Sequence, residues 1–293
     1  MKMKKSRLAK VLTLGLAAVM MFSLASCGGG DDAASGEDIT VVSREEGSGT
    51  RDAFTELTGV LADDVDNTVD TAEISNSTSV VIQSVAGNSA AIGYISLGSL
   101  DDSVKAVKVD GVDATVENVK SGDYKLQRPF NIVTNGEVGE LPQDFINFIM
   151  SAEGQAIIEE EGYIMMDDAA PAYEMADVEG NIVCAGSTSV SPVMEVLADE
   201  YKALHNDKVQ VEIQQTGSGA GIQSTIEGVC DIGMASRELE EEEAAEGLTS
   251  QVIALDGIAV IVNTENTVED LATEQIRQIF TGEITNWADV TAE

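Results

Sequence analysis

Three short segments of the chain combine glycine with serine or threonine in the same way. They are Glu46-Gly47-Ser48-Gly49-Thr50-Arg51, Gly186-Ser187-Thr188-Ser189-Val190-Ser191-Pro192 and Thr216-Gly217-Ser218-Gly219-Ala220-Gly221. Each follows a run with strand character and precedes one with helical character. At such a junction the first N–H groups of the helix have no partner inside it, and the helix dipole adds partial positive charge. Glycine lets the backbone approach a ligand closely and a hydroxyl adds a donor, so each turn is a ready oxyanion site. One such turn alone is better read as ordinary N-capping. Three in one chain point to a shared site. Arg44, just ahead of the first turn, supplies a guanidinium suited to bidentate pairing with a tetrahedral oxyanion. Arg51 is a second candidate, with a solvent-facing position on the helix as its alternative, and Arg237 is a third. None of the turns carries the lysine of a nucleotide P-loop, and the Gly217–Gly221 spacing misses the dinucleotide fingerprint.

The elements that must hold these turns alternate along the chain. Strands are expected at 39–42, 91–95, 125–134, 181–184, 209–214 and 231–235. Two more are expected at 252–255 and 258–263, around Asp256-Gly257. Pro129 suits an edge or a crossover within its strand. Helices are expected at 50–57, 77–85, 142–150, 153–160, 191–204, 220–227, 238–246 and 274–280, with a loop over 167–180. This alternation calls for an α/β fold with sheets covered on both faces.

The first residues are set aside from fold reasoning. Lys2, Lys4, Lys5, Arg7 and Lys10 precede an apolar run over 11–24 that is short for a membrane span. Leu24-Ala25-Ser26-Cys27 resembles a bacterial lipobox. The expectation is a signal peptide over 1–26, acylation of Cys27, and a flexible glycine-rich tether over 27–37. Removal of the five basic residues takes the net charge from −36 to −41. That charge argues against nucleic acid or anionic lipid as partner, leaving the membrane to be reached through the lipid anchor only. An anionic ligand is not excluded, because surface charge is screened within ~10 Å while a buried site feels its nearest dipoles. Cys184 and Cys230 lie in or beside apolar runs and are expected buried and unpaired, with a disulfide as the alternative. A single histidine, His205, argues against histidine-rich metal sites. No cofactor or metal is expected.

Together these segments resemble the periplasmic or lipoprotein phosphate-binding proteins of ABC-type phosphate importers. The resemblance is carried by Ser43-Arg44-Glu45-Glu46-Gly47-Ser48-Gly49-Thr50-Arg51, Gly186-Ser187-Thr188-Ser189, Thr216-Gly217-Ser218-Gly219-Ala220-Gly221 and Asp231-Ile232-Gly233-Met234-Ala235-Ser236-Arg237. Ala254-Leu255-Asp256-Gly257-Ile258-Ala259-Val260 and Phe280-Thr281-Gly282-Glu283-Ile284-Thr285-Asn286-Trp287 match as well. The order departs from the family. The chain begins with the family's latter half and ends with its former half, as a circular permutation rejoined through about 167–180 would do; a mis-joined or truncated chain is the rival explanation. The ends would then meet at an exposed loop near Asp38. The resemblance implies a two-lobed, type II periplasmic-binding-protein-like fold, with a ligand cleft between lobes joined by two crossover strands. Residues 38–124 plus 258–293 would form one lobe and 125–257 the other. It further implies that Thr188, Ser189, Ser218, Arg44, Ser48, Gly49 and Thr50 contact phosphate, with Ser187, Ser236 and Gly219 as further candidates. Where many members place an aspartate that accepts the proton of hydrogen phosphate, this chain has Ser236. Asp256 is the nearest candidate to replace it, with a turn residue as its alternative reading; Glu46 is a second candidate acceptor, expected rather to orient Arg44 through an ion pair.

The function so implied is a monomeric, extracytoplasmic binding protein that delivers phosphate to the permease subunits of an ABC transporter, and not an enzyme. Sulfate, molybdate or a phosphonate are alternative ligands. A phosphate sensor or adhesion protein is an alternative role. A secreted hydrolase using Ser48 or Ser218 would need an activating base. His205, at the end of a predicted helix, is expected in a capping or surface position, and the Ser-x-x-Lys, Ser-Asp-Asn and Lys-Thr-Gly set is absent.

Overall fold

The computed structural model describes residues 36–290. Cys27, the signal peptide and most of the tether lie outside the described residues. The principal strands are β1 (Thr40–Arg44), β2 (Glu73–Ser75), β3 (Ala91–Ser96), β4 (Gln127–Asn135), β5 (Gly180–Gly186), β6 (Val209–Gln215), β7 (Ile232–Ala235) and β8 (Leu248–Asn263). The principal helices are α1 (Gly49–Thr58), α2 (Thr78–Ala86), α3 (Glu140–Ile149), α4 (Ala152–Glu160), α5 (Ser191–Leu204), α6 (Ser218–Ile226) and α7 (Thr273–Phe280). Among the described residues no helix is long and apolar enough to cross a membrane.

The strands join in the order β6-β5-β7-β4-β8-β3-β1-β2. Pairing is parallel within β6-β5-β7 and within β3-β1-β2, and antiparallel where β4 and β8 intervene. β8 ties the sheet together. Its first part pairs with β4, Leu248 opposite Asn135 through Gly257 opposite Gln127, and its second part pairs with β3 from Ile258 onward. The change of partner separates two cores. One is built on Phe130, Phe145, Phe148, Ile182, Leu197, Tyr201 and Ile253. The other is built on Phe54, Tyr94, Tyr124, Ile276, Phe280 and Trp287, and takes Ile258, Val260 and Val262 from β8. Ala259 and Ile261 point the other way, into a third cluster with Val42, Val81 and Val85. Both faces of this stretch are therefore covered, which is why it reads as a continuous apolar run rather than an alternating one.

The two strands expected around Asp256-Gly257 are one. Asp256 stays in the strand opposite Arg128, and Gly257 is demanded by packing, since a Cβ there would lie 2.8 Å from Val119 Cγ2. The helix expected over 238–246 shortens to Glu241–Ala245, whose residues remain largely exposed, as expected of an acidic run. Pro129 fits the crossover reading. Opposite Leu255 it needs a partner on one side only, because β7 reaches β4 no further than Asn131. The ends meet as the permuted order requires: Ile39 N–H donates to Thr285 O at 2.8 Å and Trp287 N–H to Glu37 O at 3.0 Å. Cys184 and Cys230 are buried free thiols.

Candidate anion-binding site

The three turns converge, and a fourth helix start joins them. Thr50 at the head of α1 brings its hydroxyl to 2.9 Å from that of Ser189, before α5. The Ser187 hydroxyl donates to Ser236 Oγ at 3.0 Å, and Ser236 Oγ lies 3.3 Å from Ser218 Oγ at the head of α6. The Ser236 N–H donates to Ser218 Oγ at 3.1 Å. Backbone links the first and third turns directly, Gly219 N–H donating to Gly47 O at 2.9 Å. Thr78, opening α2, lies 3.2 Å from Ser189 Oγ and 3.4 Å from Thr188 Oγ1. All of these hydroxyl-bearing residues are buried.

Two glycines make the approach possible. A Cβ on Gly49 would lie 2.6 Å from Ser218 Oγ and 2.8 Å from Ser236 Oγ, so any side chain there would wedge the turns apart. Gly186 has φ 143°, and a Cβ on it would meet Met234 O at 2.1 Å.

Of these hydroxyls, that of Ser187 is engaged at its own helix start, accepting from the N–H groups of Ser189 and Val190 at 3.2 and 3.4 Å, while the others are not spent on capping. Ser48 occupies the N-cap position of α1 without a side-chain capping bond, and α5 and α6 are entered from Val190 and Gly217, also without one. Ser48 Oγ is buried with no hydrogen-bond partner among the described residues. A buried hydroxyl left unpaired costs free energy on the order of 1–3 kcal/mol, so a partner from outside the chain is the economical reading.

Arg44 is buried at the end of β1, just ahead of the first turn, and no hydrogen bond joins it to the clustered hydroxyls among the described residues. Its N–H donates to Tyr94 Oη at 3.1 Å and its carbonyl accepts from Arg51 Nη1 at 2.8 Å. Tyr94 is itself stacked on Phe54 at 3.9 Å between centroids. The Arg44 guanidinium is gripped by Glu45, Nε to Oε2 and Nη2 to Oε1 both at 2.8 Å. Glu46, expected to orient Arg44, is exposed instead. The strand ends at Arg44, so strand alternation no longer fixes the next side chain, and the Glu45 carboxylate turns back onto the guanidinium. Arg51 pairs with Asp66 at 2.6 Å, and Arg237 with Asp52 and Glu243 at 2.8 and 2.7 Å. Neither guanidinium is among the clustered hydroxyls. Burial pushes the Asp52 carboxyl above the usual carboxylate range, against the pull of Arg237.

Asp256 lies one step behind the cluster. Its Oδ2 accepts from Arg128 Nε and Nη2 at 3.2 and 3.0 Å and its Oδ1 from Ser96 at 2.9 Å. Arg128 also donates from Nη1 to Ser236 O at 3.4 Å. Both members of the pair are buried; burial pushes the Asp256 carboxyl up, against Arg128, and the Arg128 guanidinium down, against Asp256. Arg128 escaped the sequence reading although it left a signal, a basic residue inside an apolar strand that could enter a core only with a partner. Thr78 left less, because the strand before it is three residues long. His205 is not at the surface. It caps the C-terminal end of α5 and is buried, with Nε2 3.0 Å from Tyr173 Oη and 3.4 Å from Asp144 Oδ2.

The PBP superfamily domain matches residues 4–153 and 171–293. Phosphate-binding protein PstS 2 of Streptococcus agalactiae is 49% identical over 99% of this chain and 100% of its own length. The chain belongs to the phosphate-binding protein family. PstS 2 of Streptococcus pneumoniae is 46% identical over 95% of this chain and 97% of its own length. The crystal structure of a phosphate ABC transporter phosphate-binding protein from Streptococcus pneumoniae covers 87% of this chain and 100% of that one, at 47% identity and a TM-score of 0.70. The fold is thus the α/β fold of periplasmic binding proteins. Because these matches run essentially end to end, the order of segments is shared with other family members and does not come from a mis-joined chain.

Proposed function

We propose that this chain is an extracytoplasmic lipoprotein, acylated at Cys27, that captures inorganic phosphate and delivers it to the permease subunits of an ABC-type importer. One observation carries the reading: hydroxyls from three helix starts, those of Thr50, of Ser187 with Ser189, and of Ser218, meet in one buried cluster that Ser236 joins. The relatives named above, described as phosphate-binding proteins, supply the identity of the anion. Residues 38–124 with 258–293 act as one lobe and 125–257 as the other, and the cluster lies where they face each other. Closure of the lobes brings Thr188, Ser189 and Ser218 against Ser48, Gly49 and Thr50, with Arg44 as the charged partner. Ser187, Ser236 and Gly219 complete the surround. A hydroxyl both donates and accepts, so such a cluster meets the protonated oxygen of hydrogen phosphate without a carboxylate. Asp256 acts through Arg128, which holds the Ser236 carbonyl, and not by touching the ligand.

Capture and release fit the site better than catalysis. A serine nucleophile needs a base, and His205 is committed to Asp144 and Tyr173. Calorimetry with inorganic phosphate tests the reading: micromolar or tighter binding is expected, weakened at least tenfold by Arg44→Ala. Absence of binding by the intact chain would sink it.

A further inference from the structure

The sequence pattern has three anion turns, but the structure has four helix starts at the site. α2 contributes Thr78, and nothing in the turn pattern points to it. Its hydroxyl is buried and lies 3.2 Å from Ser189 Oγ and 3.4 Å from Thr188 Oγ1. It is not occupied with its own helix, because Ser77 does that work, accepting from Val80 N–H at 3.3 Å. Thr78 sits at the opposite end of the hydroxyl chain from Ser236. The links run from Thr78 to Ser189, from Ser189 N–H to Ser187 Oγ at 3.2 Å, and from Ser187 to Ser236. Thr50 meets the same Ser189 hydroxyl, so α1 and α2 address one turn from two sides. On the turn that opens α1, the buried Ser48 hydroxyl has no hydrogen-bond partner among the described residues, an independent observation that favours an added acceptor or donor here.

We infer that Thr78 is a further phosphate-binding residue, its hydroxyl completing the ligand's surround from the head of α2. The inference rests on the phosphate-capture reading. It has a physical consequence. Ser189 Oγ lies within hydrogen-bond reach of the Thr50 and Thr78 hydroxyls, and Thr78 of Thr188; toward an oxyanion each hydroxyl can turn its proton to the stronger acceptor. No covalent change is involved.

Calorimetry with inorganic phosphate on the intact chain and on Thr78→Val, Thr78→Ala and Thr78→Ser decides the matter, with the unliganded melting temperature of each variant measured alongside. Thr78→Val is near-isosteric and removes only the hydroxyl. Affinity is expected to fall about tenfold, the size of one hydrogen bond to a charged acceptor. Thr78→Ser is expected to recover most of that loss, and Ser79→Ala, altering an exposed neighbour, to match the intact chain. If Thr78→Val does not fold, Thr78→Ala carries the same comparison. Unchanged affinity in the folded variant overturns the assignment, even with a lowered melting temperature, since a merely structural threonine would show that pattern. If the intact chain binds no phosphate, the capture reading fails first, and the two failures are told apart.

Discussion

Replacing Asp256 by asparagine should destabilise the protein out of proportion to so small a change in shape. The carboxylate accepts two bonds from Arg128 and one from Ser96, with both charged side chains about 1% exposed. An asparagine keeps one acceptor oxygen and turns an NH2 donor toward either the guanidinium or the hydroxyl. The guanidinium then remains buried without a counter-charge. Breaking a buried pair in this way costs about 3–5 kcal/mol. For a chain of this size each kcal/mol lowers the melting temperature by about 2–4 °C, so a drop of roughly 6–20 °C is expected. Because Asp256 faces Arg128 across β8 and β4, the loss should extend to the whole cooperative unit. Urea denaturation of Asp256→Asn, Arg128→Met and the double variant Arg128→Met/Asp256→Leu gives the test. The double variant should recover most of the stability lost in either single variant, since an apolar pair of similar volume removes the unpaired charge. If Asp256→Asn unfolds within 1 kcal/mol of the intact protein, or the two single losses simply add, the pair is not the strut described here.

Further outcomes follow from other parts of the molecule. Gly49→Ala should weaken phosphate binding at least tenfold in calorimetry, because its methyl group would sit 2.6 Å from Ser218 Oγ; unchanged affinity would mean the turns do not close on one ligand. Arg237→Ala should raise the phosphate off-rate a fewfold in stopped-flow measurements, through loss of the tie to Asp52 on α1, with a smaller effect at high salt. Burial pushes Tyr94 up to about 12 and raises Tyr124, Tyr163, Tyr173 and Tyr201 as well. Unfolded tyrosines ionise near ~10, so with rising pH the unfolded chain loses these protons first and stability is lost progressively above that value. An ultraviolet titration of the folded protein should therefore show no phenolate step near pH ~10; a step there without unfolding contradicts the burial described.

Much of this arrangement is legible in the sequence. The Gly/Ser turns were recognisable because each needs small residues for close approach and hydroxyls for donation, and helices 191–204 and 274–280 announced themselves through apolar spacing. What escaped was tertiary. Glu45 rather than Glu46 grips Arg44, which depends on the direction in which β1 leaves the sheet. Thr78 stands at a helix start whose strand is too short to register, and only folding brings it to Ser189. Gly257 looked like a turn and is in fact a close contact with Val119 in the middle of a 16-residue strand. The burial of His205 could not be inferred from a polar neighbourhood, because its partners Asp144 and Tyr173 come from distant stretches.

The path of β8 also governs when the molecule can fold. Eight of the twenty-one buried side chains in the Phe54 core come from beyond residue 257, and Glu37 and Ile39 find their backbone partners at Trp287 and Thr285. The residues before 125 that build this core must therefore wait, unfinished, until residues 258–287 have been made. Only 125–257 has its core residues nearly all in hand earlier. Until then the chain stays open, exposing apolar strands that holdase chaperones would grip, and long-range closure of this kind is slow. A released fragment ending at residue 264 should accordingly protect its central part from protease while leaving residues 40–110 open to cleavage.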